Sequence, residues 1–303
     1  MRLAVASGKG GTGKTTLAVS LALALAALRG REPVTLLDCD VEQPNDHLFF
    51  TLGTLGNHSV NVSVPELRVD RCTGCGECAA ACRFGALAVV KGRLLSFPEL
   101  CHGCGACWLT CSTGGVTRGA RRIGSVYDAT TTAEQANLRL VWGELNPGQP
   151  LAPPVISKVK EVGRSQSPDG GGCQVVVMDA PPGTSCPLVE TVRDADFCLL
   201  VTEPTPFGLH DLELAVEVLR VMAVPMGVVI NRDGIGDSAP IERFCAAGGL
   251  PVMLKIPFSR RVAEMVARGG TLLDADPSWG PRLLLLWDEC RKSADARQAG
   301  GWA

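Results

Sequence analysis

A chain of 303 residues, 46% hydrophobic and 20% charged with a net charge of −2, has the composition of a globular protein with room for one large or two ordinary domains. That composition excludes an intrinsically disordered chain, and the near-neutral charge speaks against nucleic acid as a bulk partner. Its fourteen cysteines are not spread like a secreted disulfide framework: eight fall in two tight runs, which points to metal or cluster ligands in a reducing cytoplasmic compartment.

Leu3-Ala4-Val5-Ala6 predicts a short buried strand. The next residues, Ser7-Gly8-Lys9-Gly10-Gly11-Thr12-Gly13-Lys14-Thr15-Thr16, match G-x-x-x-x-G-K-[ST] with Gly8, Gly13, Lys14 and Thr15 in the fixed positions. Glycines let such a loop turn tightly and aim its N–H groups at phosphate oxygens. Gly8, Gly10, Gly11, Thr12, Gly13, Lys14, Thr15 and Thr16 are therefore candidate ATP ligands, Lys14 as a charge on the terminal phosphates and Thr15 as a hydroxyl for Mg²⁺. Leu17 to Leu28 predicts a helix whose positive end faces the phosphates; it is too short to cross a bilayer, and no secretory signal is expected. The extra lysine, Lys9, resembles the deviant Walker A motif of the MinD/Mrp/nitrogenase-iron-protein group of ATPases. In that group this lysine reaches across a dimer interface to the other subunit's nucleotide, so the resemblance implies a homodimer or a heterodimer with a paralogue. A solvated loop lysine is the alternative.

Pro33 to Leu37 predicts a second strand, ending at Asp38-Cys39-Asp40. Strand, loop, helix and strand in this order make a βαβ unit, hence an α/β fold with a doubly wound, mostly parallel sheet. Carboxylates at the C-terminal end of such a strand face the ligand crevice, which makes Asp38 and Asp40 candidates to meet Mg²⁺ or its water; a polar strand end without a role is the alternative. The resemblance implies that Asp40 orients the attacking water and that Val41 to Asn45 continue as the first switch segment.

Residues 61–118 interrupt the alternation and read as an insert, leaving 1–60 and 119–303 as a discontinuous ATPase domain. The insert carries Cys72-x-x-Cys75-x-x-Cys78-x-x-x-Cys82 and Cys101-x-x-Cys104-x-x-Cys107-x-x-x-Cys111, an internal repeat of C-x₂-C-x₂-C-x₃-C with Gly74, Gly76, Gly103 and Gly105 keeping the turns open. It resembles a bacterial two-cluster ferredoxin, in which the fourth cysteine of each run ligates the other cluster. That implies two [4Fe–4S] clusters, one on Cys72, Cys75, Cys78 and Cys111 and one on Cys82, Cys101, Cys104 and Cys107. The proline that usually follows the fourth cysteine is replaced by Arg83 and Ser112. Tetrahedral zinc is the competing occupant, and His102 reads as an exposed loop residue, not a ligand.

Farther on, Arg121 to Tyr127 predicts an edge strand, Leu138 to Leu145 a strand, Ile156 to Val162 a short helix and Ser165 to Gly172 a polar loop. Cys173 to Met178 predicts a buried strand tipped by Asp179. Asp179-Ala180-Pro181-Pro182-Gly183-Thr184 resembles the second switch of the same group, implying Asp179 at Mg²⁺ and Gly183 as a γ-phosphate sensor. Strands over 197–201, 226–230 and 252–256 and helices over 208–222, 259–268 and 281–291 complete the pattern. Asn231, at a strand end, reads the adenine base in the resembled group; a plain turn residue is the alternative. Cys39, Cys173, Cys198, Cys245 and Cys290 read as core packing, whereas Cys186 follows the second switch and could bridge a cluster between dimer halves.

Three purposes follow from the resemblance. The chain is an ATPase whose nucleotide state controls electron transfer through two clusters to a redox partner, an Mrp-like carrier delivering clusters to an acceptor protein, or a MinD-like positioning switch. Full ferredoxin motifs favour the first, because a carrier needs labile clusters. Membrane attachment is poorly supported, because Trp279 to Arg291 has only Arg282 and Arg291 as basic residues. Amide transfer onto a corrinoid is not expected, since no glutaminase segment is apparent.

Overall fold

The apolar run before the glycine-rich loop forms β1 (Arg2–Ala6), whose last four residues have no exposed surface. The computed structural model describes residues 1–28, 33–132, 138–164 and 175–299. In chain order, β1 is followed by α1 (Lys14–Leu28), β2 (Val34–Asp38), β3 (Leu52–Leu67), α2 (Glu77–Ala81), β4 (Leu87–Val90), β5 (Arg93–Ser96), α3 (Ala106–Thr110), β6 (Val116–Thr131) and β7 (Leu138–Leu145). Then come α4 (Ala152–Arg164), β8 (Val175–Asp179), α5 (Cys186–Val192), β9 (Phe197–Thr202), α6 (Pro206–Val221), β10 (Met226–Asp233), α7 (Ala239–Ala247), β11 (Val252–Pro257), α8 (Arg260–Val266), α9 (Leu272–Ala275) and α10 (Trp279–Ala299).

The chain divides into two compact units, one of Met1–Asn57, Val126–Glu144 and Ile156–Ala303, the other of His58–Ser125 with Leu145–Val155. In the first, the strand order β11-β10-β9-β1-β8-β2-β7 is parallel at every pairing, with β6 and β3 beyond β7. This is the mostly parallel α/β sheet expected from the βαβ reading. Strands β1, β2, β8 and β9 are continuous apolar runs because a parallel sheet is covered on both faces. The core gathers Leu3, Leu36, Val177 and Leu199 of the sheet with Leu17, Leu21 and Leu25 of α1. The terminal helix α10 joins it through Leu283, Leu286, Trp287, Cys290 and Ala294, at helical spacing. Its apolar face is thereby spent on the core, and no described helix is long and apolar enough to cross a membrane.

The second unit carries the cysteine repeat as a structural repeat. Gly74 and Gly103 both have φ of +72°, and Gly76 (+83°) and Gly105 (+85°) sit at the N-caps of α2 and α3. Hairpin β4–β5 turns on Lys91-Gly92, both at positive φ, as a two-residue antiparallel hairpin requires.

Two sequence expectations change. The edge strand foreseen over 121–127 is the middle of the 16-residue β6, and β3 was not foreseen. Gly53, Gly56, Asn57 and Asn61 lower its strand propensity and mask the alternation. The polar loop expected over 165–172, with Cys173, lies outside the described residues.

Candidate functional site

Strand register brings the two tipped strands together. Asp38 ends β2 and Asp179 ends β8, and the two are direct partners across that pair; Val5, just before the loop, is also level with Asp179. The phosphate-type loop, Asp38 and Asp179 thus meet at the C-terminal ends of the sheet's interior strands. Thr15 Oγ1 donates to Asp179 Oδ2 at 2.5 Å. The segment after β8 is tied to the loop by Ala180 N–H to Val5 O at 2.9 Å and Gly183 N–H to Ser7 O at 3.1 Å. Gly183, at φ +91°, makes this approach in a conformation that suits glycine.

The loop glycines divide by what surrounds them. A Cβ on Gly8 would lie 2.1 Å from the Asp211 carbonyl oxygen of α6, whereas one on Gly10 or Gly11 would meet nothing within 4 Å. Gly8→Ala is therefore expected to destabilise the protein by about 1–3 kcal/mol through overpacking against backbone. Gly10→Ala should leave stability within about 0.5 kcal/mol. Urea unfolding of the two variants checks this.

Asp38, Asp46 and Asp179 have 0–1% exposure, and one carboxylate oxygen from each lies within 4.8 Å of the others. Burial is the main cause that pushes Asp38 up to about 7 and Asp179 up to about 6; Asp179 raises Asp38 further, and Lys14 opposes the rise at Asp179. Asp38 stays an acceptor for three N–H groups, those of Asp40 (3.0 Å), Asn45 (2.8 Å) and Asp46 (3.1 Å), so it folds the segment after β2 around itself. Asp40 is half-buried with its carboxyl raised, by burial first and against the pull of Lys14. Asp46 was missed in the sequence. Nothing local distinguishes it, and only the carboxylate eight positions earlier gives a signal.

Lys14 is 7% exposed and Thr12 2%, with Thr12 Oγ1 buried and unpartnered. Within the chain, Lys9 Nζ pairs with Glu203 Oε1, and Arg232 donates to Glu203 Oε2 at 3.1 Å. Glu203, 8% exposed, is a second residue that sequence reading did not single out. Asn231 Nδ2 donates to Thr12 O at 2.7 Å, which pins the end of β10 to the loop. Beside it a cavity of about 280 Å³ is lined by Gly13, Thr16, Asn231, Pro257, Phe258 and Val262, with space and apolar walls for a planar base.

In the second unit the eight cysteines sort into two cavities. Cys72, Cys75, Cys78 and Cys111 line one; Cys82, Cys101, Cys104 and Cys107 line the other. Tetrahedral zinc at Zn–S distances near 2.3 Å would hold its thiolates roughly 3.8 Å apart. Among the described residues no three thiols come within 4.8 Å of one another. A cubane holds its thiolates farther apart, because each binds a different iron at a corner of the cube. Thr113 Oγ1, 3.6 Å from Cys111 Sγ, lowers that thiol, while Ala86 N–H donates to Cys82 Sγ at 3.3 Å and Gly103 N–H to Cys101 Sγ at 3.4 Å. His102 stacks on Phe84 with ring centroids 4.0 Å apart. Of the other described cysteines, Cys39, Cys198, Cys245 and Cys290 are buried, with burial pushing Cys245 up to about 11 and Cys290 up to about 12, so they are inert thiols. Cys186 is exposed.

The family described as the CobQ/CobB/MinD/ParA nucleotide binding domain matches residues 3–272. An uncharacterized protein of Methanocaldococcus jannaschii is 30% identical over 280 residues, 90% of this chain and 91% of that protein. The iron-sulfur cluster carrier protein of Aquifex aeolicus is 23% identical over 289 residues, 91% of this chain and 62% of that protein. Among solved structures, the septum site-determining protein MinD of Pyrococcus horikoshii, complexed with Mg-ADP, aligns with a TM-score of 0.55 at 16% identity, covering 95% of this chain and 94% of that one. At that identity it shows the fold alone.

Proposed function

Because the chain belongs to the CobQ/CobB/MinD/ParA family of nucleotide-binding domains, we propose that it binds and hydrolyses ATP and that nucleotide state controls electron transfer through two [4Fe–4S] clusters held by its second unit. The observation that carries this reading is the pairing of a phosphate-type loop, flanked by Asp38, Asp40 and Asp179, with two cysteine quartets in one chain.

In this reading the amides of Gly10 to Thr16 and the Lys14 ammonium take the phosphates, and the base lies in the cavity beside Asn231. Thr15, Asp38 and Asp179 would hold Mg²⁺, which would offset the charge of the phosphates. Asp40 accepts a hydrogen bond from the attacking water, and the Gly183 N–H, which donates to Ser7 O in the nucleotide-free chain, leaves it for the γ-phosphate. Positioned charge of this kind is most of what phosphoryl transfer requires. Lys9 leaves Glu203 and completes the site of a second subunit, in a homodimer or with a paralogue. The clusters, when bound, supply one-electron chemistry. The quartets hold them through four thiolates each, and a redox protein of the cytoplasm is the acceptor.

The polypeptide between the two sites supports coupling. From Asp38 the chain runs through the Asp46-bearing turn into β3, and β3 passes from the first unit into the second at Asn57–His58. A segment ordered by γ-phosphate and released on hydrolysis is a known switching mode.

A second reading, delivery of whole clusters to an acceptor, is favoured by the likeness to the Aquifex aeolicus carrier. Anaerobic mixing with an apo-ferredoxin separates the two. Electron transfer predicts that both clusters stay on this chain with and without ATP. ATP-dependent loss of iron to the acceptor would establish the carrier reading instead.

A further inference from the structure

The geometry points to a divalent-cation site formed by Asp38, Asp46 and Asp179 that fills before nucleotide binds; it deepens the nucleotide-binding reading and rests on it. Asp46 is the new member. It follows the first switch segment, has no exposed surface, and both of its carboxylate oxygens lack a hydrogen-bond donor. Asp179 is in the same condition at Oδ1, its Oδ2 being taken by Thr15. Buried carboxylate oxygens left without donors are costly, and proteins resolve the cost by pairing them, protonating them or binding a metal. Asp38 cannot relieve its neighbours, since it too is an acceptor and its oxygens already face three backbone N–H groups.

A divalent cation that displaced their protons would meet three carboxylates together, where the cation acting on both Asp46 and Asp179 is otherwise Lys14. The donors are all oxygens, so the ion is a hard one. Few protein ligands suit Mg²⁺, with Mn²⁺ as its surrogate, better than Ca²⁺, which takes six to eight oxygens. The ion would already stand at the loop when the phosphates arrive, and Asp46 would tie its presence to the conformation of the first switch segment. The rival arrangement is a proton shared between Asp46 and Asp179 with no metal.

The test is Mn²⁺ binding to the full chain, freed of metal and nucleotide at the loop, followed by loss of the free Mn²⁺ EPR signal. Thermal unfolding is run in parallel. The expected result is one Mn²⁺ per chain without nucleotide, a raised unfolding temperature, and at least a tenfold weaker affinity in Asp46→Asn. The wild-type measurement decides on its own even where the variant folds poorly. Mn²⁺ taken up only together with ATP, or bound equally by Asp46→Asn, would overturn the site. A parallel ATP-binding measurement separates the two readings. ATP bound without a prior Mn²⁺ site leaves nucleotide binding standing and removes this inference, whereas Mn²⁺ bound with no ATP binding removes the nucleotide reading.

Discussion

Lys14→Ala is expected to lower ATP hydrolysis by about 10³-fold, the scale on which losing one positioned cation acts in phosphoryl transfer. Two effects add. The first is loss of the ammonium proposed to meet the terminal phosphates, at the base of α1, where Lys14 is 7% exposed. The second is local. Lys14 also offsets the raised carboxyls of Asp40, Asp46 and Asp179, and removing it leaves the phosphates facing uncompensated acids. Both kcat and nucleotide affinity should therefore fall. Lys9→Ala is a contrasting variant. Lys9 is engaged with Glu203 in the single chain, so its loss should spare ATP binding by one subunit and lower hydrolysis, and titration of ATP binding beside turnover tells the two lysines apart. A Lys14→Ala protein that turns over at the wild-type rate would remove the loop from the mechanism.

The second large effect is in the cysteine unit. Two [4Fe–4S] clusters give about eight iron per chain, and the crossed quartets make a sharp forecast for double variants. Cys75 and Cys111 line the same cavity although they belong to different runs. Cys75→Ser with Cys111→Ser should therefore damage one cluster only, leaving about four iron and one clean cubane EPR signal. If each run instead held its own cluster, the same pair would injure both. Cys75→Ser with Cys82→Ser reverses the logic, because Cys82 lines the other cavity, and should cost both clusters. Iron analysis with EPR of the dithionite-reduced proteins reads both variants.

How much of this was legible in the sequence depends on whether a feature is local. The loop from Gly8 to Thr16 is contiguous, and its chemistry is written in consecutive residues. The C-terminal positions of Asp38 and Asp179 followed from apolar runs that end in an acid, and strand register then made them partners. The two cysteine runs rested on spacing, and their crossed quartets on the resemblance to two-cluster ferredoxins. What was not legible is non-local. Asp46 becomes notable only when the turn after β2 buries it against β8, and Glu203 only when β9 ends beside Lys9. Strand β3 was hidden because its glycines and asparagines carry no alternation, although backbone pairing with its neighbour needs none. The C-terminal helix was read through its charges, but its place was decided by Trp287 and Leu283, which pack in the core.

The central claim is that the nucleotide at the loop governs the reactivity of the clusters. Its most direct measurement is the rate at which a small-molecule reductant reduces the clusters, followed by their visible absorbance in anaerobic stopped flow with Mg-ATP, with Mg-ADP and without nucleotide. The account predicts distinct rates for the ATP and ADP states of the wild-type protein and one nucleotide-independent rate for Lys14→Ala. Superimposable traces in all three wild-type conditions, with ATP shown to be bound, would contradict it.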